Sequence, residues 1–191
     1  IDADLRFEDL DLITIIGHDR DVVAGIYPLK QNDEAYPIRH LPGPVVRDKD
    51  GLIEVEAVPT GFLKIKRHVL ERLANDAERF SSKDDTDAKQ KIPLIFERTM
   101  INGVRWGGDY TFCRKWREMG GSIYIDPSFL FEHYGQIQWS GIYSAFLRKG
   151  DPKGYADIID RIRLGTDTSQ DMIEMVYGWN NINWQASIGL L

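Results

Sequence analysis

The sequence predicts an α/β fold for this chain of 191 residues, and three observations support the prediction. Apolar runs of strand length alternate along the chain with segments in which apolar residues recur at helical spacing. Hydrophobic residues make up 42% and charged residues 28% of the sequence, which is ordinary for a globular domain. The sequence contains no internal repeat and no long low-complexity tract. A mixed globular fold with its own core therefore follows.

The predicted elements follow one another in order. The first helix is expected over residues 7–16, where Leu10, Ile13 and Ile16 recur at helical spacing, although alternation over residues 12–16 leaves a strand open. Another helix is expected over residues 67–80, with Val69, Leu73, Ala77 and Phe80 on its inner face. Further helices are expected at 109–119, 143–148 and 156–164, and the chain after residue 127 is expected to be helical. Strands are expected at 22–27, 52–58, 62–65, 92–96 and 122–125.

The segments between these elements carry turn signals. Residues 30–51 contain three prolines and scattered charges, which predicts a long loop of the kind that often binds ligands. Residues 81–91 are charged and nearly free of apolar side chains, which predicts a surface loop. Gly120 and Gly121 are expected to end the helix before them in a left-handed conformation.

Charge and composition exclude several classes of protein. The formal net charge of −6 argues against a broad nucleic-acid-binding surface, so no nucleic acid is expected as a partner. A single cysteine rules out an internal disulfide framework. The sequence shows no apolar run long enough for a transmembrane segment and no signal-peptide pattern. These features predict a cytoplasmic protein.

Asp2-Ala3-Asp4 is the first motif with a candidate chemical role. Two carboxylates separated by one residue can hold a divalent cation where the chain turns, and hard oxygen ligands suit Mg²⁺ or Mn²⁺. A solvated acidic turn has the same pattern. These residues alone leave both interpretations open.

Asp109 and His133 are candidate functional residues at two other points of the chain. Asp109 lies where a loop becomes a helix, so it fits either an N-cap or a carboxylate that takes a proton from a hydroxyl. His133 lies beside the flexible Gly135, so it fits either a metal ligand or a histidine that is merely hydrogen-bonded. Cys113 lies on the apolar face of its predicted helix and is expected in the core.

The order of the motifs along the chain is more specific than any one of them. Asp-Ala-Asp is followed by Tyr-Pro-x-Lys, Gly-Asp-Tyr-x-Phe-Cys-Arg, Ile-Tyr-Ile-Asp-Pro and His-Tyr-Gly. This order resembles the C-terminal half of a GT-A glycosyltransferase, close to the family 2-like and Anp1-like enzymes. The matching stretches are residues 1–7, 21–30, 57–70, 108–120 and 123–135. The resemblance implies a Rossmann-like mixed sheet flanked by helices, with a helical C-terminal tail.

The resemblance also implies a role for each matching residue. Asp2 and Asp4 correspond to the Asp-x-Asp motif, which holds Mn²⁺ or Mg²⁺ on the diphosphate of a nucleotide sugar. His133 corresponds to the histidine that completes this metal site. Asp109 corresponds to the acid that deprotonates the acceptor hydroxyl in inverting members. The residues expected to bind the substrates are Thr60, Gly61, Phe62, Trp106 and Gly108.

The sequence departs from the family pattern in two respects. The family usually has Glu-Asp where this chain has Gly108-Asp109, so one of the two acids is kept. The family also has a nucleotide-binding half before the Asp-x-Asp motif, and this half is expected upstream of Ile1. Residues 1–140 are therefore expected to be the metal- and acceptor-binding part of the domain, and residues 141–191 a helical extension. The aromatic residues of that extension fit either packed core or a carbohydrate platform.

The resulting expectation is a metal-dependent glycosyltransferase. It would move a sugar from a nucleotide-diphosphate sugar to a glycan or other hydroxyl acceptor, with Asp109 as the candidate base. One alternative is a metal-dependent phosphoesterase, although such sites usually gather three or more acids and histidines, and the four histidines here are scattered. Another alternative is a non-catalytic binding domain of the same fold.

Overall fold

A computed structural model describes residues 1–81 and 91–150, and these residues form a mixed α/β structure. The four helices of this part are α1 (Asp9–Gly17), α2 (Arg67–Asp76), α3 (Gly108–Glu118) and α4 (Tyr143–Lys149). Its first six strands are β1 (Leu5–Arg6), β2 (Val22–Gly25), β3 (Arg39–His40), β4 (Ile53–Ala57), β5 (Leu63–Ile65) and β6 (Arg79–Phe80). The other six are β7 (Ile92–Pro93), β8 (Thr99–Ile101), β9 (Val104–Trp106), β10 (Ile123–Asp126), β11 (Leu130–Tyr134) and β12 (Gln138–Ile142). The predicted α/β class is confirmed.

The main sheet has five strands in the order β3-β4-β10-β2-β5. Strands β10 and β2 are parallel, with Ile125 opposite Ala24, and the other neighbours are antiparallel. A second sheet has the order β1-β11-β12 and is antiparallel throughout. Two short hairpins, β6-β7 and β8-β9, complete the strands of the described chain.

The central strand β2 is buried on both faces, because successive side chains of a strand point to opposite sides. Val22 and Ala24 belong to a first core, which contains Val69 and Leu73 of α2 and also residues of α3 and α4. Val23 belongs to a second core, which lies between the main sheet and the β1-β11-β12 sheet. The other members of the second core are Leu5, Ile15, Tyr27, Phe62, Phe129 and Phe131.

Helix α3 and strand β4 agree with the sequence predictions. Ile53, Val55 and Ala57 of β4 are buried and alternate with less buried glutamates. Cys113 is fully buried in the first core, as expected. Gly120 ends the last turn of α3 with a φ of +83°, a conformation that glycine adopts without steric cost.

Several predicted elements differ from the structure. Helix α1 forms, but Leu10, Ile13 and Ile16 are exposed and Ile15 is its buried residue. Helix α2 ends at Asp76, and Phe80 lies in the exposed strand β6. The strand expected at 92–96 is confined to Ile92–Pro93, and the predicted loop at 30–51 contains β3.

The largest difference follows residue 127. The sequence predicts helical structure there, but residues 130–142 form the hairpin β11-β12 before α4 begins. Phe131 is the residue of β11 that is buried in the second core, and Leu130 and Tyr134 at the two ends of the strand are exposed. The predicted helix at 156–164 and most of the predicted loop at 81–91 lie outside the described residues. No helix of the described part has the length and apolar character needed to cross a membrane.

Candidate functional site

The Asp-x-Asp motif lies on a turn immediately before β1. The backbone N–H of Leu5 donates to the carbonyl of Asp2 at 3.3 Å and closes this turn. The N–H of Asp2 donates to the carbonyl of Gly61 at 2.7 Å, and the N–H of Tyr134 donates to the carbonyl of Asp4 at 2.9 Å. The motif is therefore fixed at one end to the turn after β4 and at the other end to β11.

Strand pairing brings His133 to Asp4. In the β1-β11 ladder Leu5 lies opposite His133, and the Nε2 atom of His133 lies 3.6 Å from Oδ2 of Asp4. The Nδ1 atom of His133 lies 2.8 Å from the carbonyl oxygen of Pro28. Because a carbonyl only accepts, Nδ1 carries the proton of this bond and Nε2 faces Asp4. Metal-binding histidines are commonly held in this way.

Lys30 is the third ionisable residue of this group, after Asp4 and His133. Its Nζ donates to Oδ2 of Asp4 at 2.5 Å. This hydrogen bond is the main reason why the pKa of Asp4 lies below its usual range, and the charge of Lys30 adds to the effect. We call Asp4, Lys30 and His133 the Asp4 cluster. It places a lysine ammonium group and an imidazole around one carboxylate.

The Tyr27 side chain lies beneath this cluster and is almost fully buried. Burial raises the pKa of its phenol, and the negative charges of Asp2, Asp109 and Asp4 raise it further, whereas a hydrogen bond with the Gly61 backbone opposes the shift. Three carboxylates from distant parts of the chain therefore act on one phenol.

The predicted substrate turn at Thr60, Gly61 and Phe62 meets the same tyrosine. A Cβ atom at Gly61 would collide with the hydroxyl and ring of Tyr27, so only glycine fits there. The Phe62 ring is 1% exposed and packs against Phe131 in the second core, with ring centroids 5.0 Å apart. Thr60 is half-buried. The backbone of this turn borders the site, whereas the Phe62 ring supports it from below.

Asp109 lies in the first turn of α3, and the N-cap of this helix is Gly107. The Oδ1 atom of Asp109 accepts the backbone N–H of Tyr110 at 2.9 Å. A Cβ atom at Gly108 would lie 2.6 Å from the carbonyl oxygen of Phe96, so a glutamate does not fit at this position without a shift of the backbone. This close approach explains why a glycine fits at position 108, where the glycosyltransferases that the sequence resembles usually have a glutamate.

Trp106 lies three residues before Asp109 in the sequence, and a cationic side chain is stacked on its ring. The guanidinium carbon of Arg39 lies 4.1 Å from the Trp106 ring centroid and 5.5 Å from that of Tyr110. The Trp106 Nε1 atom is buried and has no hydrogen-bond partner in the described part of the chain. We call Arg39, Trp106 and Tyr110 the Trp106 cluster. The expected sugar platform therefore has one face covered by Arg39.

The chemistry of the predicted metal ligands fits a divalent cation, since carboxylate oxygens and an imidazole nitrogen are common donors for Mn²⁺. Asp4 and His133 lie side by side, as a shared site requires. Within residues 1–81 and 91–150, however, no three His, Cys, Asp or Glu side chains come together at metal-binding spacing. Lys30 bonds the same oxygen of Asp4 that faces His133. Metal binding therefore stays a prediction.

Sequence reasoning missed Tyr27 and Lys30 as site residues, although both lie in a stretch that matches the family. Their position directly after β2 is the signal that was available, because ligands of α/β sheets bind beyond the carboxyl ends of the strands. Arg39 was also missed. It lies in a two-residue strand within a predicted loop, and no sequence pattern marks it.

No protein-family model matches this chain, and no curated protein matches it. Among solved structures, the chain is similar to the crystal structure of A197 from STIV, with 19% sequence identity and a TM-score of 0.39. The match covers 71% of this chain and 56% of A197, so the chain spans little more than half of that protein's length. This likeness is too low to carry an argument about fold or function.

Proposed function

We propose that this chain is the metal- and acceptor-binding part of a GT-A glycosyltransferase. The reaction moves a sugar from a nucleotide-diphosphate sugar to a hydroxyl acceptor. The observation that carries the proposal is the pairing of β1 with β11, which brings Asp4 of the Asp-x-Asp motif to within 3.6 Å of His133. The family resemblance assigns these two residues to one site, although they lie near opposite ends of the described chain.

On the donor side, Asp2, Asp4 and His133 would hold Mn²⁺ or Mg²⁺. A cation bound there offsets the negative charge that develops on the leaving diphosphate. Lys30 brings its own positive charge to the same place, since its Nζ already contacts Asp4. The lysine side chain is long and flexible enough for its ammonium group to move from Asp4 to a phosphate oxygen.

On the acceptor side, Asp109 takes the proton of the acceptor hydroxyl as the new glycosidic bond forms. One oxygen of its carboxylate accepts the Tyr110 N–H, and this bond fixes the orientation of the group. The charge of Asp109 acts on Tyr27, as do the charges of Asp2 and Asp4. This shared neighbour supports a single site that contains both the base and the donor-side carboxylates.

The proposal predicts the effect of Asp4→Asn in the full-length protein. The variant keeps the shape of the side chain but removes its charge, so we expect transfer from UDP- or GDP-linked sugars to fall by about 100-fold. Binding of Mn²⁺, measured by calorimetry without donor, should weaken in parallel. The matched control is Asp19→Asn, because Asp19 also pairs with a lysine, Lys66 at 2.6 Å, but is 95% exposed on its side chain and lies outside the site.

Asp19→Asn should leave both measurements unchanged. Transfer or Mn²⁺ binding that is equally strong in wild type and in Asp4→Asn contradicts the proposal.

A non-catalytic binding domain is the second candidate, and one observation favours it. Lys30 neutralises Asp4 without any metal, and the described residues contain no three-residue metal group. Binding of a nucleoside diphosphate with no turnover of any UDP- or GDP-linked sugar would favour this candidate. A phosphoesterase gains no support from the described residues, because its site usually needs several convergent acids and histidines.

A further inference from the structure

The Arg39 side chain is held against two aromatic rings, and no carboxylate of the described residues neutralises its charge. It lies on β3, an edge strand of the main sheet, opposite Ala57 at the end of β4. Its guanidinium is stacked on Trp106 at 4.1 Å and also lies over Tyr110. Stacking on an aromatic face leaves the edge of a guanidinium free, and the five N–H donors lie on that edge.

Four arginines of the described chain make ion pairs, and Arg72, which is also stacked on a tryptophan, donates to the carbonyl of Met119. Arg6, Arg20, Arg114 and Arg117 each have a carboxylate oxygen within 3.2 Å. In the described part of the chain, Arg39 has no carboxylate within ion-pair distance and its side chain donates no hydrogen bond. An arginine that is fixed in position but not paired has donors available for a ligand.

The charge of Arg39 acts at the position of the candidate base. Burial and the negative charge of Asp109 raise the pKa of Tyr110 to about 12, and the positive charge of Arg39 opposes this shift. Arg39 and Asp109 therefore both lie close to the same phenol. Because Tyr110 directly follows Asp109 in α3, a ligand bound at Arg39 lies near the first turn of the helix that carries the proposed base.

The indole of Trp106 is the aromatic surface on which this arginine is stacked, and its own donor is also unpaired. Its indole Nε1–H is buried and has no acceptor among the described residues. A buried donor without a partner costs about 1–3 kcal/mol, so such groups are few in folded proteins. The other two in the described part of the chain are the Nε1 atom of Trp139 and the Nε atom of Arg20. The unpaired indole donor lies in the ring that carries the unpaired guanidinium.

We propose that Arg39 binds an oxyanion, a carboxylate or a phosphate, on the acceptor substrate. The inference rests on the proposed function, because Asp109 on the same side marks this as the acceptor region. A planar guanidinium matches either oxyanion through two parallel N–H bonds. An anionic acceptor would be repelled by Asp109 alone, and the charge of Arg39 cancels that repulsion. The acceptor is thus an acidic sugar or a phosphorylated molecule.

Binding without any donor tests this inference separately from catalysis. The probes are methyl β-glucuronide for the carboxylate, glucose 6-phosphate for the phosphate and methyl β-glucoside as the neutral control. The readout is the indole N–H signal of Trp106 in a ¹H–¹⁵N spectrum, which a Trp106→Phe variant assigns among the five tryptophans. We expect at least one anionic probe to bind about tenfold more tightly than the neutral glucoside.

Three variants identify the group that is responsible. Arg39→Gln should abolish the preference for the anionic probe, and Arg39→Lys should keep only part of it because a lysine lacks the planar fork. The control is Arg105→Gln, which removes the same charge from the adjacent position of β9. Arg105 and Trp106 point to opposite faces of that strand, so this variant should keep the preference.

The identity of the preferred probe decides between a carboxylate and a phosphate. Equal affinity for charged and neutral probes overturns the inference, and so does a preference that survives Arg39→Gln or a Trp106 signal that no anionic probe shifts. Transfer activity without anion preference overturns only this inference. Anion binding through Arg39 in a chain that transfers no sugar overturns only the proposed function.

Discussion

At the scale of single residues, the Tyr27 ring joins the separate parts of the candidate site. Its ring packs edge-on against His133, with centroids 5.0 Å apart, and its hydroxyl occupies the space that a side chain at Gly61 would need. Each contact comes from a different segment of the chain. The Tyr27 ring therefore lies between the turn after β4 and strand β11 and contacts both.

His40 is a second buried residue at this scale, and its environment predicts a pH effect. Its Nε2 atom lies 2.5 Å from the hydroxyl of Tyr143, and burial lowers its pKa from 6.5 to about 4. The unfolded chain then binds more protons than the folded chain between these two values. The contribution of His40 to the free energy of unfolding is complete above about pH 6.5 and is lost as the pH falls toward 4.

Urea unfolding of wild type and His40→Gln at pH 7.5 and pH 5.0 measures this contribution. Between the two pH values, wild type should lose about 2 kcal/mol more than His40→Gln, since each unit of pKa shift is worth about 1.4 kcal/mol. His68→Gln serves as the control because half of the His68 side chain is exposed. Parallel losses in wild type and His40→Gln would show that His40 is not the group involved.

At the scale of elements, the β8-β9 hairpin presents Trp106 to the site. Asn102 and Gly103 form its two-residue turn with φ values of 51° and 78°, and two positive values in succession are typical of a type I′ turn. Trp106 lies opposite Thr99, whose hydroxyl is 3.0 Å from that of Thr111 in α3. The turn chemistry and this contact together fix the hairpin against the helix that carries Asp109.

Gly103→Ala should loosen this hairpin without disturbing the core. An added Cβ atom meets nothing within 4 Å, so the cost is the left-handed backbone of about 1–2 kcal/mol. Hydrogen exchange should show faster exchange of the β8 and β9 amides and unchanged exchange in β2. Asn102→Gly, which keeps a residue suited to positive φ, should leave the hairpin protected. Equal exchange in wild type and Gly103→Ala would contradict the assignment of the turn.

Local sequence patterns predicted some elements and not others. The strict alternation of β4 and the helical period of α3 report contacts that each element makes along its whole length, so both were predicted. The Asn102-Gly103 pair is a hairpin signal in the sequence, although the predicted elements above do not include the β8-β9 hairpin. Strand β11 depends on pairing with β1 and β12, and β1 comes from the far end of the described chain. The pattern of residues within one strand does not indicate which distant strand it pairs with.

At the scale of the whole molecule, the second core supports the candidate site. Leu5 follows Asp4, Phe62 follows Gly61, and Phe131 lies two residues before His133 on the same face of β11. Each of these apolar side chains is buried between the two sheets. Site residues and core residues thus lie within one or two positions of each other along the same short segments, and the packing of the core residues helps to position the site residues.

Phe131→Ala tests this dependence. Phe131 is fully buried, packs against Phe62 and Tyr27, and fills the space above Gly25. Its truncation should lower the free energy of unfolding by about 3–5 kcal/mol in urea titrations. Phe80→Ala is the control, because Phe80 is 44% exposed and should cost far less. A loss at Phe131 no larger than that at Phe80 would argue against the second core.

The candidate site was predictable from the sequence only in part. The motif order suggested Asp2, Asp4 and His133 as one group, and the structure brings Asp4 and His133 together. The roles of these residues stay predictions. Lys30 and Arg39 escaped prediction because charged residues are frequent in loops, and only the folded structure brings Lys30 to Asp4 and Arg39 to Trp106.

The pairing of β1 with β11 also has a consequence for the way the chain is made. Leu5 is synthesised before its partner His133, and α1, α2, α3 and all five strands of the main sheet lie between them in the chain. Contacts between such distant residues form slowly, because a long loop must close first. The Asp4 cluster therefore cannot assemble until β11 has been synthesised, and a truncated product that ends before β11 lacks it.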